Sequence, residues 1–147
     1  MAREASLWSW LNNARDDLDD TLHMGRVENL VEGGWPDVEG CLCGECFTVE
    51  LKSKGRPRRE STRILAPGDI RPGQVPWLER RWRAGGAASM LIQVGSGHAA
   101  RRYLVPGNLA CMVAGAAEGE LLSMSVIDPR ESAVGVVRAC AGIRGRP

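Results

Sequence analysis

Apolar positions recur along this chain with two different periods, and the switch from one to the other predicts the order of elements. Leu7, Leu11, Ala14, Leu18 and Leu22 follow at three- and four-residue steps, which predicts an amphipathic helix over residues 5–22. Asp16, Asp17, Asp19 and Asp20 fall on its solvent face. Residues 23–32 predict a second helix or a continuation, with Val27, Leu30 and Val31 inward and Gly33-Gly34 as its stop. The period then becomes two. Residues 37–42 and 46–52 alternate polar and apolar positions around a turn at Gly44-Glu45, which predicts a hairpin opened by Pro36. Residues 74–84 return to helical spacing, with Val75, Leu78 and Trp82 inward, Pro76 in the first turn and Gly85-Gly86 after the end. Residues 88–94 and 101–105 read as strands, 108–117 as a packing helix and 121–127 as a strand. Residues 133–139 are ambiguous, and residues 142–147 predict a mobile tail.

Composition narrows the class. The chain has 147 residues, 44% of them hydrophobic, enough for one domain that needs no disulfides. No run reaches the roughly 20 apolar residues of a membrane span. The acidic, amphipathic start is unlike a secretory signal, and five cysteines without such a signal predict reduced thiols in a cytoplasmic protein. Cys41, Cys43 and Cys46 raise a zinc reading, which would need a fourth ligand from Cys111, Cys140, His23 or His98. Small thiols buried in the hairpin are the other reading.

A net charge of +1 hides a strong asymmetry. Residues 1–50 carry three arginines against eleven acids, residues 51–102 carry twelve basic residues against three acids, and the rest balance at four each. Residues 53–63 form a basic loop with Arg56, Arg58, Arg59 and Arg63, and the following helix adds Arg80 and Arg81. Arg26 is a further candidate, for a phosphate contact or for pairing with an acid. Such clusters draw in nucleic-acid backbones.

The chemistry concentrates at the hairpin. In a strand, residues two apart share a face, so Glu50 and Lys52 project together while Leu51 points to the core. A paired strand carrying Asp37 would bring two carboxylates and one ammonium to a point. Hard oxygen ligands of this kind suit Mg²⁺ or Mn²⁺. A lysine beside a metal-bound water can orient it or take its proton. The chain holds 17 arginines and only two lysines, Lys52 and Lys54, so a lysine in the triplet runs against its own bias. Glu39 would share a face with Asp37 and is a reserve ligand.

The order of these residues resembles the PD-(D/E)XK nuclease superfamily, and most nearly its small stand-alone VRR-NUC proteins of phages and bacteria. The resemblance rests on Arg26-Val-Glu28-Asn29, Gly34-Trp-Pro36-Asp37-Val38, Glu50-Leu-Lys52, and Arg71-Pro-Gly-Gln74 followed by Trp77-Leu78, across roughly residues 22–106. It implies an α/β fold with a restriction-endonuclease-like core: a short mixed sheet flanked by helices, ordered α-β-β-(β)-α-β-β. Residues 1–117 would form the nuclease domain with its N-terminal helix, and residues 118–147 an extension packed on it. It further implies Asp37, Glu50, Lys52, Gln74 and Glu28 as catalytic residues, with Glu32 the competitor of Glu28. The metal would be held by Asp37, Glu50, Glu28 and the Leu51 carbonyl. The expected activity is Mg²⁺-dependent cleavage of branched or otherwise structured DNA. A Holliday-junction role would imply a homodimer. Flap or single-strand cleavage, and non-catalytic binding of nucleic acid, are the alternatives.

Overall fold

Val38 stands opposite Val49 and Leu42 opposite Glu45, so the two alternating runs form the predicted hairpin, turning at Cys43-Gly44. Both turn residues have positive φ, 50° at Cys43 and 84° at Gly44. The computed structural model describes residues 2–28 and 33–145. Among these, five strands form one sheet in sequential order: β1 Leu22–Arg26, β2 Val38–Leu42, β3 Glu45–Lys54, β4 Ala87–Val94 and β5 Arg101–Pro106. Neighbours are antiparallel except β3 and β4, which run parallel and are joined through a helix on one face. The coarse α/β expectation is therefore met.

Both faces of the sheet are covered. Three helices lie on one side: α1 Ala2–Asn12, α2 Ala14–Leu18 and, from the far end of the chain, α5 Ala133–Gly142. Leu7, Leu11, Phe47, Val49, Leu51, Leu91, Leu104, Val136 and Val137 make the core between them. The other side carries α3 Gln74–Arg83, a 3₁₀ stretch Gly107–Met112 and α4 Glu118–Met124, packed on Met90, Ile92, Tyr103 and Val105. All eight residues of β4 are buried, which is why its sequence is a nearly unbroken apolar run rather than an alternation.

Five local expectations are corrected. The helix over 5–22 breaks at Asn13, and its last residue, Leu22, belongs to β1. Residues 23–26 are strand, not helix. Leu22 and Met24 are buried with His23 exposed between them, a short alternation that pairing with β2 completes. Leu30, Val31 and Glu32 of the expected second helix lie outside the described residues. The helix over 108–117 is a 3₁₀ stretch ended by a turn at Gly115, whose φ is +83°. Residues 118–124 are helix where a strand over 121–127 was expected: Leu121 is buried and Leu122 exposed, and Glu120 caps the start by accepting the Ala117 N–H. The ambiguous 133–139 run is α5, begun by Ser132, whose hydroxyl accepts the Gly135 N–H at 3.1 Å. The expected mobile tail is docked as far as Gly145, whose N–H bonds to the Gly86 carbonyl. Among the described residues no helix is long and apolar enough to cross a membrane.

Candidate active site

Continuing the β2–β3 register one step beyond Val38 and Val49 puts Asp37 opposite Glu50. The Asp37 Oδ2 accepts the Leu51 N–H at 2.8 Å, so the carboxylate is tied to the backbone of the E-X-K triplet itself. Its Oδ1 lies 3.8 Å from the Arg26 guanidinium at the end of β1. Glu50 and Lys52 point together to the α3 side of the sheet and are almost sealed, at 1% and 6% exposure. Burial of a charged pair demands partners. Gln74, the first residue of α3, supplies them: its Nε2 donates to Glu50 Oε1 at 2.6 Å, and its Oε1 accepts from Lys52 Nζ at 3.0 Å and from the Arg71 N–H at 2.9 Å. Lys52 Nζ also lies 3.3 Å from Glu50 Oε1.

The second Glu50 oxygen, Oε2, is buried and has no hydrogen-bond partner among the described residues. Burial, and next the negative Asp37 beside it, push the Glu50 carboxyl up to about 8, against the opposing pull of Lys52. A cation between the two carboxylates would offset both causes by favouring the ionised form. No model of a known protein family and no curated protein matches the chain.

The two parts of the site are held together by glycine contact. Gly34 has φ +95°, and a Cβ there would stand 2.3 Å from the Gly73 carbonyl oxygen. Only this close approach lets the Trp35-Pro36-Asp37 segment lie against the start of α3, where Gln74 begins.

The remaining candidates divide. Glu28 lies just past β1 rather than on a helix; it is exposed and makes no hydrogen bond or ion pair among the described residues. Glu39 is exposed on β2, opposite Thr48 and two rungs from Glu50. Leu51 is wholly buried, its backbone at the site through the bond to Asp37. In the basic segment Arg56, Arg58, Arg59 and Arg63 are all exposed, but Arg56 is also paired within the fold. Its guanidinium reaches Glu118 Oε2 and the Ala99 carbonyl, each at 3.2 Å. Arg80 and Arg81 are exposed on α3.

The cysteine expectation changes. Cys41 and Cys46, directly opposite on β2 and β3, are joined as a disulfide, while Cys43 is exposed, so the hairpin does not bury free thiols. Among the described residues no three His, Cys, Asp or Glu groups are arranged to hold a metal. A cation at Asp37 and Glu50 would therefore complete its shell with backbone carbonyl and water, as Mg²⁺ commonly does.

Two contributors were not visible in the sequence. Glu118 ties Arg56 to Tyr103, whose hydroxyl donates to its Oε1 at 2.6 Å. Asp69 holds Lys54 at 2.7 Å. Neither partner lies near the other in sequence, so no local pattern announces the pairs.

Proposed function

We propose that the protein is a divalent-cation-dependent endonuclease of the PD-(D/E)XK type, hydrolysing phosphodiester bonds in branched or otherwise structured DNA. One observation carries the reading: the Asp37 and Glu50 carboxylates face one another across β2 and β3, with a buried, unpartnered Glu50 Oε2 and the Lys52 ammonium beside them. The uneven charge supports it, since Arg58, Arg59, Arg63, Arg80 and Arg81 expose cationic heads on the chain's basic middle third.

Asp37, Glu50 and the Leu51 carbonyl would hold the cation, Mg²⁺ or Mn²⁺. When bound, it supplies Lewis acidity toward the scissile phosphate and toward a water. The chain's own residues do the rest. Gln74 fixes Glu50 and Lys52 in one geometry by donating to the first and accepting from the second. Lys52, as an ammonium, orients the attacking water by donating to it and steadies charge developing on the phosphate. The exposed arginines hold the backbone on either side.

The test is a cleavage panel of labelled four-way junction, flap, single strand and plain duplex, each with Mg²⁺, Mn²⁺ or chelator. Cutting is expected to require the cation and to fall by about 100-fold or more in Asp37→Ala and Glu50→Ala, with binding retained. Normal cutting by both variants would discard the site. Binding without cutting under every cation would leave a nucleic-acid-binding module. Paired, symmetric cuts in the junction would require two sites in one particle, so light scattering should then report a homodimer.

A further inference from the structure

Beside the site, on the outer flank of α3, lies an open cleft of about 620 Å³ lined by Trp77, Arg80, Arg81, Ala84, Gly85 and Gly86. The Arg81 guanidinium sits over the Trp77 indole at 4.6 Å from the ring centre and reaches the Trp35 ring at 5.9 Å. The two indoles are 5.1 Å apart and tilted by 49°. Arg81 is set in this position. A Cβ on Gly86 would come within 2.6 Å of Arg81 Cδ, so the bare Gly86 backbone lies flat along the arginine stem. Its N–H bonds the Arg81 carbonyl at 2.9 Å. The Arg81 head is thus held against the two indoles although the residue is exposed, and Arg80 is exposed beside it.

We infer that this cleft is a subsite for one unpaired nucleotide of a DNA strand. Its base stacks on the Arg81 guanidinium, which the Trp77 and Trp35 indoles back, and its phosphate rests on Arg80. The inference rests on the nucleic-acid reading above and specifies the substrate feature: a single-stranded segment adjoining the scissile bond. Three features argue for it. A guanidinium plane backed by indoles takes any base by stacking and cation–π attraction, without reading its edge. The glycine rim admits a flat ligand where side chains would fill the space. And the cleft is coupled to the site: Trp77 is three residues from Gln74, about 4.5 Å along the helix axis, and Trp35 is two residues from Asp37.

The test is equilibrium binding in chelator, where no cleavage occurs, of fluorescein-labelled 12-nucleotide single-stranded DNA and of the same sequence as duplex. Variants are Arg81→Ala, whose head is exposed, together with Trp35→Ala and Trp35→Phe. Trp35→Ala should weaken the single strand about 10-fold while moving the duplex less than about 3-fold, and Trp35→Phe should restore most of that loss. Arg81→Ala, which also removes a charge facing the DNA backbone, should weaken the single strand about 10-fold and the duplex clearly less. A single strand carrying an abasic site at the stacked position should reproduce the loss on the unaltered protein. Equal affinity of wild type and both alanine variants for the single strand overturns the subsite, as does an equal loss on both substrates. If Trp35→Ala lowers the melting temperature, Arg81→Ala and the abasic strand still decide. Selective loss of single-strand binding in a protein that never cuts would keep the subsite and discard the nuclease. Cation-dependent cutting with no single-strand selectivity would do the reverse.

Discussion

Glu50 is an acid buried beside another acid, and its protonation should govern the stability of the cation-free protein. The unfolded chain ionises this group near 4.5, the folded chain only near 8. A raised folded value means that the contribution is fully present below the unfolded value and is lost as pH climbs through the folded one. In chelator, the urea midpoint should therefore fall between about pH 5 and pH 8, by the equivalent of a few kcal/mol. Glu50→Gln, which keeps shape and loses the charge, should flatten that dependence and abolish cleavage together. Mg²⁺ should stabilise the wild type more at pH 8 than at pH 5.5, because it selects the ionised pair. A flat profile in the wild type would mean that Glu50 is not held as described. This residue-scale chemistry is only partly legible in sequence. The spacing of Asp37, Glu50 and Lys52 can be read. The depth of Glu50, which moves its ionisation, depends on α3 and β4 closing over it.

At the scale of elements, two joints decide the site's shape. The first is the β2–β3 hairpin, closed by Cys41–Cys46. Without reductant, the denatured protein should titrate three thiols, from Cys43, Cys111 and Cys140, and five after reduction. The loop between the bonded cysteines is short, so reduction should cost no more than about 2 kcal/mol and leave cleavage nearly intact. The second joint is the meeting of Gly34 and Gly73. Gly34→Ala forces a Cβ onto a carbonyl oxygen that belongs to the backbone and cannot swing aside. It should cost more than the roughly 1 kcal/mol of a positive-φ glycine alone and lower cleavage by pulling Asp37 away from Gln74. A stable, fully active Gly34→Ala would show that the joint has slack. The strands and α3 were legible from their periods. β1 was not, because five residues with a glycine among them alternate too briefly to outweigh a helical reading until β2 lies alongside.

For the whole molecule, the far end of the chain completes the near end's core. Val136, Val137 and Cys140 of α5 are buried against α1 and the sheet. A chain stopped after Pro129 would expose Leu7, Leu11 and Phe47. Losing several such side chains, each contributing about 1.5–3 kcal/mol, exceeds the stability of most domains. This truncation should therefore show no cooperative melt by circular dichroism. The charge asymmetry also acts at this scale. Fold-internal pairing takes Lys54 and Arg56 out of the basic set, to Asp69 and Glu118. Arg58 and Arg59 remain exposed. If they hold phosphates, the double alanine variant should reduce the slope of log affinity against log salt by about 2, and an unchanged slope would assign the contacts to α3 instead.

The sequence by itself determined what depends on neighbours along the chain. The alternation on either side of Cys43-Gly44 sets the hairpin, and the antiparallel register that follows puts Asp37 opposite Glu50. The amphipathic spacing of residues 74–83 sets α3, with Gln74 at its start. Only the tertiary structure decided what depends on distant segments: the strand at 22–26, the helix at 118–124 and the docking of α5. The same holds for the burial of Glu50, the engagement of Arg56 by Glu118, and the stack of Arg81 on two indoles from different elements. The physical reason is that backbone periodicity is a local property. Desolvation, ion pairing and ring stacking are set by whichever groups the fold brings into contact, and no spacing within one segment encodes them.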